Sequence, residues 1–261
     1  MTRTQAIQID LNEGIDRQTL TQLRERFLHV NRARLLRAME GLTPRQQTVL
    51  SLLPLFFHVN HPLLPGYVSG STPAGVAGYE PDASALTEAQ RLTRSFSYKT
   101  RTPGAQSPIH GLFLMGSLGT LAQTDQSDMD VWICHAPNLS EPALEELRKK
   151  CQVLETWAAG LGADAHFFLI DAQRFALGER DARLSTDDCG TTQHYLLLDE
   201  FYRTAIWLAG RTPMWWWVPA NEEANYAEFT HTLLSKRFIR ADETIDLGHL
   251  AHIPPGEFVG A

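Results

Sequence analysis

Cysteine is scarce, positive charge is in deficit and long apolar runs are missing, and each shortage removes a class of protein. The three cysteines, Cys134, Cys151 and Cys189, are odd in number and lack metal-ligand spacing. Neither a disulfide framework nor a cysteine metal site is therefore expected, and free thiols suit a reducing cytosol. No stretch approaches the roughly 20 apolar residues needed to span a bilayer, and the N-terminus has no apolar signal core, so the expectation is a cytoplasmic protein without membrane insertion. Lys and Arg number 23 against 30 Asp and Glu, a net charge of −7. A broad nucleic-acid surface needs a basic face, so no nucleic-acid partner is expected, and an anionic ligand would be met by a local basic pocket. What is present in quantity is apolar residues, 43% of 261, enough for a sizeable globular core.

Residues 111–135 concentrate the chemistry. Leu112, Phe113, Leu114 and Met115 form a short apolar run stopped by Gly116-Ser117, which predicts a buried strand ending in a tight turn. Asp128-Met129-Asp130-Val131-Trp132-Ile133 then alternates, predicting a second strand. Side chains two apart on a strand share a face and stand roughly 6.6 Å apart, so Asp128 and Asp130 converge while Met129, Val131 and Ile133 face a core. The same alternation puts Trp132 on the aspartate face, as a wall of a ligand pocket. Two adjacent carboxylates repel unless a cation lies between them. Magnesium, a hard cation that takes carboxylate oxygens together with substrate phosphates, is the natural partner, and paired metals serve in-line phosphoryl displacement. Gly116 lets backbone approach a phosphate, Ser117 offers a hydroxyl, and residues 117–122 could open a short helix whose N–H groups face an anion.

An apolar strand, Gly-Ser, about ten residues and then Ser-Asp-x-Asp resembles the nucleotidyltransferase superfamily typified by polymerase beta. Gly116-Ser117, Thr120, Gln123, Ser127-Asp128-Met129-Asp130 and Trp132-Ile133-Cys134-His135 further resemble the signature of the class I, enterobacterial-type adenylate cyclases. The segments at 61–67, 167–171, 188–194 and 196–205 are similar as well. The resemblance implies an α/β (α+β) nucleotidyltransferase fold: a mixed sheet with flanking helices and a helical N-terminal region over 1–104, with the catalytic core and C-terminal helices over 105–261. It implies ATP as substrate, with contacts from Gly116, Ser117 and Ser127, and two magnesium ions, or manganese in their place. These would be held by Asp128, Asp130 and a third carboxylate on a neighbouring strand. Asp164, flanked by Ala163 and Ala165, is the choice for that acid. Asp171 is the rival, at a point where the strand gives way and a cap is the better explanation. Relatives of this kind continue into a larger regulatory half, and the end at Gly260-Ala261, without a closing element, fits such a continuation.

The rest of the chain is read as support. A helix is predicted over 16–39 from Leu20, Leu23, Phe27, Val30, Leu35 and Met39, and another over 46–59 opened by Thr43-Pro44. His58 and His61 lack the further ligands a zinc site needs. Residues 62–82, rich in Gly, Pro and Ser, read as a long ordered loop or a linker. Thr87-x-x-Gln90 suggests a capping box for a helix running to 99; its Arg91, Arg94 and Lys99 are either a solvated face or triphosphate contacts. Ser140-Glu141-Pro142 opens a helix ending near Gly160, followed by a strand over 164–170. A surface loop over 178–192 leads to a helix over 193–209. Thr191 or Thr192 caps its start, and a capped start is also an anion site. Arg203, four residues after Asp199, is either a helix salt bridge or a phosphate ligand. Residues 214–218 form a strand or buried segment whose tryptophans pack, and a helix follows to about 237.

Three functions follow from this reading, in descending order. One is a cyclase making cyclic AMP and pyrophosphate from ATP by attack of the ribose 3′-hydroxyl. The second is a transferase moving AMP to a separate acceptor, and the third a silent nucleotide-binding module, which would have no need of the acidic pair.

Overall fold

A four-stranded mixed sheet, ordered β3-β2-β1-β4, positions everything else. The structure is a computed structural model, describing residues 14–102, 106–124, 126–179 and 191–250, with the side chains of 191–193 outside the description. Strand β1 (Ile109–Met115) pairs antiparallel with β2 (Met129–His135), in a register that sets Met115 against Asp130 and Leu114 against Val131. Strand β3 (Ala165–Asp171) lies parallel to β2, Asp130 opposite His166, and β4 (Ile206–Gly210) runs antiparallel to β1 at the other edge. The end of β1 and the starts of β2, β3 and β4 therefore share one edge of the sheet.

Helix α1 (Arg17–Glu40) is N-capped by the Asp16 carboxylate, which accepts from the amides of Gln18 and Thr19. Helix α2 (Pro44–His58) opens on a full capping box between Thr43 and Gln46. That pairing satisfies two of the amides a helix start leaves unpaired. Helix α3 (Ala83–Leu92) starts earlier than the Thr87 box predicts: Asp82 caps it, and Thr87 Oγ1 instead bonds back to the Ala83 carbonyl within the helix. Helix α4 (Glu141–Gly160), with proline in its first turn as expected, crosses over between β2 and β3.

Both sheet faces are buried. On one, Leu112, Leu114, Val131 and Ile133 pack with Leu52, Phe56 and Phe57 of α2 and Leu147 and Leu154 of α4. Each such side chain contributes roughly 1.5–3 kcal/mol of hydrophobic burial, and the N-terminal helices share this single core with the sheet. On the other face, Phe113, Trp132 and Cys134 pack against Phe175 of α5 (Ala172–Ala176) and Leu198 and Phe201 of α6 (Thr191–Thr204).

The helix predicted over 193–209 ends at Thr204. Residues 206–209 are apolar enough to continue a helix or to enter a sheet, and the vacant edge of β1 takes them as β4. Asn31 of α1 covers the far side of that edge: its amide donates to the Trp207 carbonyl at 3.0 Å and accepts from the Trp207 N–H at 2.7 Å. Beyond β4, β5 (Thr212–Pro213) pairs with β6 (Thr244–Ile245). The tryptophan run forms a 3₁₀ turn over Met214–Trp217, followed by α7 (Tyr226–Ser235). Its tryptophans pack, Trp215 and Trp216 both against Phe27 of α1. The predicted loop over 178–192, from residue 180 to 190, and the chain end from 251 onward lie outside the described residues.

Candidate active site

The shared sheet edge gathers the acidic residues. Asp130 is the second residue of β2 and half-buried, while Asp128 is exposed in the approach to the strand. Asp164 also stands just outside its strand, its carbonyl accepting from the Met129 N–H at 2.7 Å. It is thus beside Asp128 at the same edge. Asp171 lies at the opposite end of β3, about 20 Å away at strand rise, and its carboxylate caps α5 by accepting from Gln173 and Arg174 N–H. The two candidates for the third acid thus stand at opposite ends of β3.

Burial pushes the Asp130 carboxyl up to about 6. The neighbouring Asp128 adds to the rise, as do Glu200 of α6 and Asp164, while His166 opposes it. This is what crowded carboxylates do without a counter-charge. Glu200 and His166 carried no role in the sequence reading. The signal for His166 was the parallel register that faces it to Asp130, whereas Glu200 arrives through packing of a helix remote in sequence.

The Gly-Ser turn lies against Asp130. Gly116 has φ +82°, and a Cβ on it would stand 3.6 Å from Asp130 Oδ2. Ser117 Oγ lies 2.7 Å from Ser127 Oγ, which also accepts from the Thr124 N–H at 2.9 Å. The two signature segments are thereby tied into one loop system. Residues 117–122 form successive turns rather than the short helix expected; the Thr120 N–H and hydroxyl both return to the Ser117 carbonyl. Gln123 locks the turns to α1, its Oε1 accepting from Gly119 N–H at 2.7 Å and its amide donating to the Ala38 carbonyl at 3.2 Å.

Other expected contacts are placed elsewhere. Trp132 does share the aspartate face, but its ring is only 2% exposed, stacked on Phe201 and edge-on to Phe175. It is core, not the wall of an open pocket, because α5 and α6 cover that face of the sheet. Thr191 and Thr192 open α6, yet the helix reaches the acidic edge through Glu200, about 13 Å further along its axis; their side chains lie outside the described residues. Arg203 is exposed and ion-paired to Asp199 at 2.6 Å. Arg91 pairs with Glu88, and Lys99 lines a cavity with His58 and His61, beyond the Ile109 end of β1. His58 itself is structural, accepting from the Val76 N–H at 3.2 Å and meeting the Tyr98 hydroxyl at 3.1 Å.

Among the described residues, no set of three or more His, Cys, Asp or Glu side chains is arranged to hold a metal. The expected three-carboxylate set is not closed, because Asp164 Oδ1 is turned to His166 Nε2 at 3.2 Å. The pair that remains still suits magnesium, which takes one or two carboxylates plus substrate phosphates. Asp128 and Asp130 are such a pair, and Asp130 shows the unmet charge a cation would neutralise.

Comparison with known proteins shows the family. The family described as adenylate cyclase NT domain matches residues 19–216. The chain is 41% identical over 243 residues to an adenylate cyclase of Salmonella typhimurium, 41% over 242 to one of Escherichia coli strain K12, and 38% over 241 to one of Proteus mirabilis. Each match covers 92% of this chain and 28% of the relative's length. No solved structure matches it significantly.

Proposed function

The chain belongs to the adenylate cyclase N-terminal domain family, and on that premise we propose that it is the catalytic part of a cyclase converting ATP to 3′,5′-cyclic AMP and pyrophosphate. The observation that carries the proposal is the meeting of the Gly116-Ser117 turn with Asp130 at the edge where Asp128 and Asp164 also stand. In this reading Gly116 and Ser117 receive phosphate, backbone approaching closely where no side chain intervenes and the hydroxyl donating. Ser127 holds Ser117 in place. Asp128 and Asp130 would hold magnesium, or manganese in its stead, and Asp164 would join them on turning from His166. The bound ions would supply positive charge to the phosphate oxygens and acidify the attacking hydroxyl.

The reaction needs the 3′-hydroxyl to lose its proton and bond to the α-phosphorus while the bond to the β-phosphate oxygen breaks and pyrophosphate departs with its electrons. Nucleophile and electrophile belong to one molecule, so the protein's task is to fold the substrate and hold it. Well-held intramolecular geometry can be worth effective molarities of roughly 10⁵–10⁸ M. The test is 3′-deoxy-ATP, which keeps base and phosphates and lacks the nucleophile. It should compete with ATP and release no pyrophosphate. Steady pyrophosphate release from it, with AMP appearing on an added acceptor, would replace the cyclase with an AMP transferase.

A further inference from the structure

Residues 116–123 are seated on the C-terminal half of α1, and the contact brings two arginines to them. Arg37 Nη1 donates to the Gly119 carbonyl at 3.1 Å. Gly119 has φ +74°, and a Cβ there would lie 2.7 Å from the Arg34 carbonyl oxygen and 2.6 Å from Ile206 Cδ1. Loop and helix therefore meet backbone to backbone, two residues beyond Ser117, with no room for a side chain between them. Arg34 is half-buried, and its guanidinium is held below the usual range by burial first and by the charge of Arg37 second.

Neither arginine has a carboxylate partner among the described residues. Arg91, Arg148, Arg174, Arg203 and Arg240 have one, and what sets Arg34 and Arg37 apart from the other arginines without one is their place together against the loop at Gly119. A half-buried guanidinium set beside a second one is disfavoured unless an anion joins them. Guanidinium forks match phosphate oxygens in geometry as well as charge.

We propose that Arg34 and Arg37 of α1 form the polyphosphate side of the site, binding the terminal phosphates of the nucleoside triphosphate that the Gly116-Ser117 turn receives. The identity of the ligand rests on the cyclase reading; the anion site itself rests on the helix and loop. Gly119, whose carbonyl Arg37 holds, is three residues beyond Gly116, the residue that faces Asp130. The substrate is thus held between a cation-binding pair at its α-phosphate and two fixed cations at its far end, where charge develops as pyrophosphate leaves.

Metal-free inorganic tripolyphosphate is the probe, titrated calorimetrically into wild type, Arg34→Gln, Arg34→Lys and Arg37→Gln, with melting curves to establish that each is folded. Wild type should bind it. Either glutamine variant should bind about tenfold or more weakly, as expected for a lost charged hydrogen bond, and Arg34→Lys should recover part of the loss by returning the charge without the fork. In turnover, the KM for ATP should rise in the same order. Failure of wild type to bind tripolyphosphate, or wild-type affinity in a folded Arg34→Gln or Arg37→Gln, overturns the proposal. Arginine-dependent binding in a protein that makes no cyclic AMP supports the anion site and overturns the cyclase reading instead.

Discussion

Replacing Asp130 with asparagine should stabilise the metal-free protein while ending its turnover. The folded-state carboxyl is raised from 3.8 to about 6, so the native state holds this proton more tightly than the unfolded chain does. Stability consequently falls as pH rises from about 4 to about 6, and the whole loss is present at neutral pH. A rise of this size corresponds to at most about 3 kcal/mol. Asp130 is only half-buried, and solvent screening reduces the figure to about 1–2 kcal/mol. Asparagine keeps the shape and removes the charge. At pH 7.5 in a chelator the variant should melt roughly 2–6 °C above wild type, the two should coincide near pH 4, and magnesium should narrow the gap by stabilising wild type alone. Thermal unfolding followed by circular dichroism across that pH range measures all three. An asparagine variant that melts at or below wild type at pH 7.5, with a difference unaffected by pH, would refute the argument from crowded carboxylates.

Trp132→Ala should destabilise the fold by about 3–5 kcal/mol through the cavity it leaves between Phe175 and Phe201,; denaturant unfolding at wild-type midpoint would show that the ring is not core. Asp164→Asn should cut turnover more than tenfold, about 1.4 kcal/mol of barrier. Asp171→Ala should leave the rate near wild type and cost about 1 kcal/mol of stability from the lost cap of α5,. Kinetics showing the reverse pattern would exchange the two acids.

The parts legible in the sequence are those decided locally. Thr43-Pro44 and the proline after Glu141 mark helix starts through geometry confined to a few residues, although the equally local Thr87 box was displaced by Asp82. The alternation over 129–133 set Met129, Val131 and Ile133 on one face and Trp132 on the other correctly. What alternation cannot reveal is whether the second face is covered, and Trp132 went from expected pocket wall to core because α6, about 70 residues on, lies over it. Strand β4 was hidden for a similar reason, since its apolar residues read equally well as the end of a helix. Asn31 is a single polar residue in an amphipathic helix until Trp207, 176 positions away, supplies both of its partners. Arg34 and Arg37 likewise resemble any solvated face until the loop at Gly119 is set against them.

The central claim is that the acidic edge beside the Gly-Ser turn cyclises ATP. Incubating the protein with magnesium and ATP labelled in the α-phosphate, then resolving the products, tests it most directly. Wild type should convert the label to cyclic AMP, and Asp128→Asn, folded as well as wild type, should not. Label recovered as AMP on an acceptor, or cyclic AMP formed equally by the Asp128→Asn protein, would contradict it.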